Sequence, residues 1–149
     1  EDPDMPIPPA STAIHGITDE MVAGQRIDDA RVGLMLESVG LVVAHNAGFD
    51  MGVIRGACAA TVQPTPRMRY FCSVQVARKT YALESYKLPL AAAAAGFRDF
   101  PHHDALADAE ACAAIIIDSA RRHDADGIAA LAKATGVKIN QLKAQPLKL

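Results

Sequence analysis

Apolar positions along this chain recur mostly at helical spacing, and only two short runs have the character of strands. Val32, Met35, Leu36 and Val39 return every three or four residues, which predicts a helix from Asp28 to about Ser38, ended by Gly40. Leu41-Val42-Val43-Ala44 is short, apolar and β-branched at its centre, and it stops at a polar cluster; it predicts a buried strand. A second apolar stretch then runs to Ala60, with Gly48, Gly52 and Gly56 four apart on one helix face. Each glycine costs a helix roughly 1 kcal/mol against alanine, so the stripe implies the close approach of a neighbouring backbone. Thr61 to Arg69 holds two prolines and reads as a loop, Tyr70-Phe71-Cys72 as a second strand, and Ser73 to about Tyr81 as a helix. Leu88 to Ala95 predicts a short helix capped by Gly96, and Phe97 to His103 a loop. Ala105 to Arg122 is the longest helix, with Leu106, Ala109, Ala113, Ile116 and Ala120 on one face, and Asp124 to Thr135 closes the series at Gly136. At the other end, residues 1–13 read as an extended lead-in in which Pro8-Pro9 closes off any helix. Thr18 is then placed as an N-cap, with Asp19 and Glu20 in the first turn.

Composition sharpens this into a fold class. The chain has 149 residues, half of them hydrophobic and 21% charged, which suits one globular domain. Its apolar mass is small, with 29 alanines and only 5% aromatics, so an α/β fold rich in helix is expected. Within it, residues 1–123 are assigned to the main domain and 124–149 to a C-terminal helix and Lys-bearing tail. Cys58, Cys72 and Cys112 lie far apart and are odd in number, against a disulfide framework or a CxxC knuckle, and they suggest reduced thiols. No apolar run approaches the roughly 20 residues of a membrane span, and the acidic, Pro-rich start is the reverse of a signal peptide, so a cytoplasmic location is expected. The net charge of −2 argues against a basic coat protein for nucleic acid. Charge is unevenly placed: seven acids and one Arg fall in residues 1–30, and four Lys with no acid from Lys133 to the end. The Lys-bearing end reads either as a solvated terminus or as an arm that touches phosphates or a partner.

Two clusters combine carboxylates with histidine. His45-Asn46-Ala47-Gly48-Phe49-Asp50 follows the first strand, and ligands of open α/β sheets gather beyond strand ends. In His103-Asp104-Ala105-Leu106-Ala107-Asp108 a loop histidine precedes a carboxylate in a first helical turn, a hard oxygen ligand for Mg²⁺ or Mn²⁺. A histidine five residues before it can take a proton from water. Each cluster also has a plainer reading: His45 as a hydrogen-bonded structural residue, Asp108 as a helix-dipole charge, and His102-His103 as a solvated loop pair.

With the turn Ile14-His15-Gly16-Ile17-Thr18-Asp19-Glu20 placed before them, these segments resemble the DEDD 3′→5′ exonucleases of the His-containing branch. That group includes the proofreading epsilon subunit of bacterial DNA polymerase III, ribonuclease T and oligoribonuclease. The resemblance runs from about Pro6 to Arg121 and implies a ribonuclease H-like exonuclease fold. It implies Asp50 and Asp108 as metal ligands, His103 as general base, Phe49 against the terminal base, and contacts to the terminal nucleotide from His15, Thr18, His45 and Asn46. The implied reaction is hydrolysis of the 3′-terminal phosphodiester of single-stranded DNA or RNA to a nucleoside 5′-monophosphate. Two Mg²⁺ or Mn²⁺ ions roughly 3.5–4 Å apart would hold the attacking and leaving oxygens, and a polymerase or a second chain is an implied partner.

The family's first motif, an Asp-x-Glu on its opening strand, has no counterpart upstream of His15. The expectation is therefore a fold lacking its N-terminal strands, two metal carboxylates of the usual four, and a poor nuclease as this chain alone. Truncation, complementation by another chain and loss of catalysis all account for that gap. Two other functions stay open: a non-catalytic nucleic-acid-binding or adaptor module of the same fold, and an HD-type metal phosphohydrolase suggested by His103-Asp104, which would be all-helical.

Overall fold

The computed structural model of the protein describes residues 1–60 and 64–144. The first three residues of the proline-bearing loop and the end of the Lys-bearing tail, Lys148 included, lie outside the described residues. The backbone divides into two compact units, Glu1–Ser38 and Val39 onward.

The first unit holds α1 (Pro9–His15), α2 (Asp19–Val22) and α3 (Asp29–Ser38), and none of the three has a fully buried residue. The extended lead-in is corrected here. Pro9 sits in the first turn of α1, where its missing N–H has no intrahelical partner to lose and its fixed φ already suits a helix. A proline pair thus begins this helix instead of preventing it. Gly16 ends α1 at φ +72, a left-handed conformation that glycine adopts without the clash of a Cβ, and its N–H donates to the Thr12 carbonyl at 2.8 Å. Thr18 caps α2 as expected, its hydroxyl accepting from the Met21 N–H at 3.4 Å. The acidic start closes the unit on itself: Asp2 accepts from the Gly24 N–H at 2.8 Å and the Asp4 N–H at 2.9 Å. Those two bonds hold its carboxyl below the usual range.

The second unit runs β1 (Val42–Ala44), α4 (Ala47–Ala60), β2 (Met68–Cys72), α5 (Ser73–Thr80), α6 (Leu88–Ala94), α7 (Ala105–Arg122), α8 (Ile128–Thr135) and β3 (Asn140–Leu142). The strands form one sheet in the order β1-β2-β3. β1 and β2 are parallel, Val43 opposite Phe71, and α4 makes the crossover that a parallel pair requires. β3 returns antiparallel, Tyr70 opposite Asn140. Among the described residues no strand pairs with the other edge of β1. The α/β, helix-rich expectation is met, with a sheet of mixed direction; β3 lay unrecognised in Asn140-Gln141-Leu142, which has no apolar alternation to mark it.

Two apolar clusters fill this unit. Ala77, Leu88, Ala91, Ala92, Ala111 and Ile115 join α5, α6 and α7, where alanines allow the helices to pack closely. Phe71, Val76, Ile116, Leu131 and Val137 join the sheet to α5, α7 and α8. The helix after residue 124 is thereby part of this unit's core. The central helix α7 serves both clusters, Ile115 facing one and Ile116 the other. That is why the expected face is corrected: the buried residues are Ala107, Ala111, Cys112, Ile115, Ile116 and Ser119, whereas Leu106 is 69% exposed. At the edge of the first cluster, Tyr81 donates to Asp118 at 2.7 Å and Arg122 to the same carboxylate at 2.6 Å, fixing the end of α5 to α7. Burial pushes the Tyr81 phenol up to about 12.

The glycine stripe also fails as an explanation of packing. A Cβ at Gly48, Gly52 or Gly56 would meet nothing within 4 Å among the described residues, so no neighbouring backbone accounts for them.

Candidate functional site

Both motif loops of the second unit lie at element ends, and each contains a residue in a strained conformation. Asn46, between β1 and α4, has φ +76, and His103, just before α7, has φ +78. Non-glycine residues seldom hold positive φ unless the surroundings enforce it.

His45 follows β1 and is fixed from both sides. Its Nε2 faces the Tyr86 carbonyl at 2.8 Å, which requires the N–H on that nitrogen. Nδ1 is then left to accept from the Ser73 hydroxyl at 2.8 Å. Ser73, the first residue of α5, is fully buried, and its oxygen also accepts from the Cys112 thiol at 3.2 Å. No ring nitrogen of His45 remains for a ligand in this arrangement. Burial pulls the His45 pKa below the ordinary imidazole value; the bond to Tyr86 opposes this, Arg78 adds to it, and the carboxylates of Asp108 and Asp50 oppose it. Burial likewise raises the Cys112 thiol, an effect to which Asp50 adds. Asp50 and Asp108, far apart in sequence, thus act on one imidazole.

The sign of the pH effect follows. The folded protein resists protonating His45, whereas the unfolded chain takes that proton near pH 6.5. This contribution to stability is complete above about pH 6.5 and is lost as the pH falls below it. Melting temperatures measured from pH 7.5 to 5.5 are expected to fall, and to fall less steeply in His45→Asn; equal slopes in the two proteins would remove His45 as the cause.

The second cluster is held by the start of α7. Asp104 caps that helix, accepting from the Ala107 N–H at 2.9 Å, and Asp108 follows one turn later. One oxygen of Asp108 lies 2.7 Å from His102 Nδ1 and accepts from the His103 N–H at 3.4 Å. The His102 and His103 rings lie close, tilted 30° to one another with centroids 3.9 Å apart. Among the described residues, ligand atoms of His102, His103 and Asp108 lie within 4.8 Å of one another. Such a set offers one hard oxygen and two imidazoles, and each imidazole nitrogen can bind a metal ion or take a proton but not both at once. Asp50 is outside this cluster, in the first turn of α4. Beside it Phe49 is 69% exposed, an aromatic ring left in the open at the motif.

His102, Ser73 and Tyr86 were missed by sequence reasoning. For His102 the His-His doublet was a signal, since two adjacent loop imidazoles can reach one carboxylate; for Ser73 and Tyr86 there was none, because their link to His45 spans 28 and 41 positions. In the first unit, His15 Nδ1 accepts from the Ile17 N–H at 3.0 Å and Thr18 caps α2, so both side chains shape their own turn.

A strand followed by a strained polar turn, and a histidine loop opening a long helix, put the two histidine–carboxylate clusters at element ends. The family model described as Exonuclease, RNase_T, matches residues 2–116, and the chain belongs to that exonuclease family. A Mycobacterium tuberculosis (strain CDC 1551 / Oshkosh) protein provisionally named bifunctional exonuclease/endonuclease protein is 32% identical over 98% of this chain and 23% of its own length. The PolC-type DNA polymerase III of Clostridium perfringens (strain 13 / Type A) is 36% identical over 77% of the chain and 8% of its own length. This chain therefore spans less than a quarter of these two relatives. Among solved structures, exonuclease X in complex with 5′ overhanging duplex DNA superimposes with a TM-score of 0.68 at 28% identity, covering 89% of this chain and 76% of that one. The fold is accordingly the ribonuclease H-like exonuclease fold, which together with the sheet excludes the all-helical HD architecture. No helix among the described residues is long and apolar enough to cross a membrane.

Proposed function

We propose that the chain hydrolyses the 3′-terminal phosphodiester of a single-stranded DNA or RNA end, releasing nucleoside 5′-monophosphates, and that with Asp50 and Asp108 as its two carboxylates it does so weakly by itself. The observation that carries this reading is the arrangement at the start of α7, where Asp108 is gripped by His102 and by the backbone of the strained His103. The solved neighbour's DNA complex and the polymerase relatives support a nucleic-acid substrate and leave association with a polymerase as part of the proposal.

In this reading Asp50 and Asp108 hold Mn²⁺ or Mg²⁺, which supplies positive charge against the phosphate when bound. The chain's own groups do the rest. His103, exposed on its loop, takes the proton from the attacking water. Phe49 stacks on the terminal base, and the turn at Asn46 sets the direction of Phe49 and Asp50; the Phe49 N–H is bonded to the Asn46 carbonyl at 2.8 Å. His45, spent on Ser73 and Tyr86, positions that turn and leaves direct substrate contact to its neighbours. Terminal-nucleotide contact by His15 and Thr18 remains part of the proposal.

The test is release of monophosphates from a 5′-labelled single strand with Mn²⁺, followed by shortening from the 3′ end. Release is expected to be slow and chelator-sensitive, and to fall about 10²–10⁴-fold in His103→Ala, the usual contribution of a positioned base, or to background where that is reached first. Unchanged release in that variant removes His103 from the mechanism. Strand binding in EDTA with no release under Mn²⁺ favours the non-catalytic binding module instead.

A further inference from the structure

Outside the motif loops, the second unit has a basic cavity of about 570 Å³ between α5 and the segment joining α8 to β3. Its polar lining is Gln75, Arg78 and Lys79 from α5, with Lys138 and Asn140 from beyond α8. Three cations and no carboxylate face this space. Among the described residues neither lysine is in an ion pair, while Arg78 lies over the Tyr86 ring, 5.9 Å from its centroid. Like charges converging without a counter-charge repel one another, and an anion entering between them relieves that repulsion. Arg78 also ties the cavity to the motif site: the residue whose ring it covers, Tyr86, gives its carbonyl to His45.

We propose that this cavity binds the phosphodiester backbone of the strand a few nucleotides back from its reacting end, with Arg78, Lys79 and Lys138 as the phosphate contacts. The proposal rests on the nuclease reading above and adds the path of the strand. It also gives Lys138, from the Lys-bearing end of the chain, a ligand. Gln75 and Asn140 supply uncharged donors between the cations, which suits a backbone recognised by charge and without base sequence.

The test uses the full chain in EDTA, so that binding is read without hydrolysis, with a labelled dT12 or rU12 strand and with the dinucleotide pdTpdT. Two exposed lysines are changed together, Lys79→Gln and Lys138→Gln, and neither belongs to the proposed catalytic machinery. The double variant is expected to bind the 12-mer about tenfold more weakly at moderate salt. Its plot of log affinity against log salt should flatten by about 1.4, near 0.7 for each lost phosphate contact on a single strand. Dinucleotide binding should stay unchanged, because so short a ligand is used up at the reacting end. An unchanged slope for both 12-mers, or an equal loss on the dinucleotide, overturns the proposal. Failure of the nuclease reading is seen separately, as absence of Mn²⁺-dependent release while the slope difference persists.

Discussion

Replacing Asp108 by Asn is expected to lower Mn²⁺-dependent monophosphate release by about 10³-fold, or to background where that is reached first, with the fold intact. Asparagine keeps the shape of the side chain and an oxygen that can still accept from His102 and from the His103 N–H. What it loses is the charge, and with it a hard anionic ligand for a divalent cation. Several kcal/mol of transition-state stabilisation depend on such a cation, and each 1.36 kcal/mol is a factor of about ten in rate. The fold should tolerate the change because Asp108 is part-exposed and lies beside the core. Release by Asp108→Asn is measured together with its melting temperature; full activity, or lost activity explained by unfolding, would count against a ligand role. Asp50→Asn is the natural companion, since Asp50 is read as the second carboxylate of the same site and acts on the same His45.

The second large effect concerns stability. Phe71, next to last in β2, is fully buried and is the largest such side chain among the described residues. It joins Val76, Ile116, Leu131 and Val137, so it links the sheet to three helices. Phe71→Ala should cost about 3–5 kcal/mol from lost burial and the cavity left behind. For a domain of this size that is about 6–20 °C in melting temperature, at 2–4 °C per kcal/mol. Calorimetry or denaturant unfolding gives the value. A loss under 1 kcal/mol would mean that the neighbouring side chains collapse into the space, and that this cluster is not the core described here.

A good part of the molecule was legible in its residues. The strand before His45, the helix bounds Ala105–Arg122 and the Thr18 cap all follow from local rules: β-branching, an N-cap beside a helix start, and breakers at each end. The pair of motifs was legible too, because each gathers histidine and carboxylate within six consecutive positions. Local rules failed where two meanings compete for one residue. A proline can stop a helix or begin one, and which it does at Pro9 depends on the backbone on either side. Alanine-rich α7 has so little contrast between its faces that periodicity could not say which one is buried.

The chain by itself determined that helices dominate around a short sheet and that carboxylates and histidines fall in two clusters. Tertiary structure alone decided that α7 divides its isoleucines between two clusters, that His45 spends both ring nitrogens on Ser73 and Tyr86, and that His102 reaches Asp108. The reason is physical. Secondary structure responds to neighbours within a few positions, whereas a hydrogen bond between residues 28 or 41 positions apart exists only once packing has brought them together.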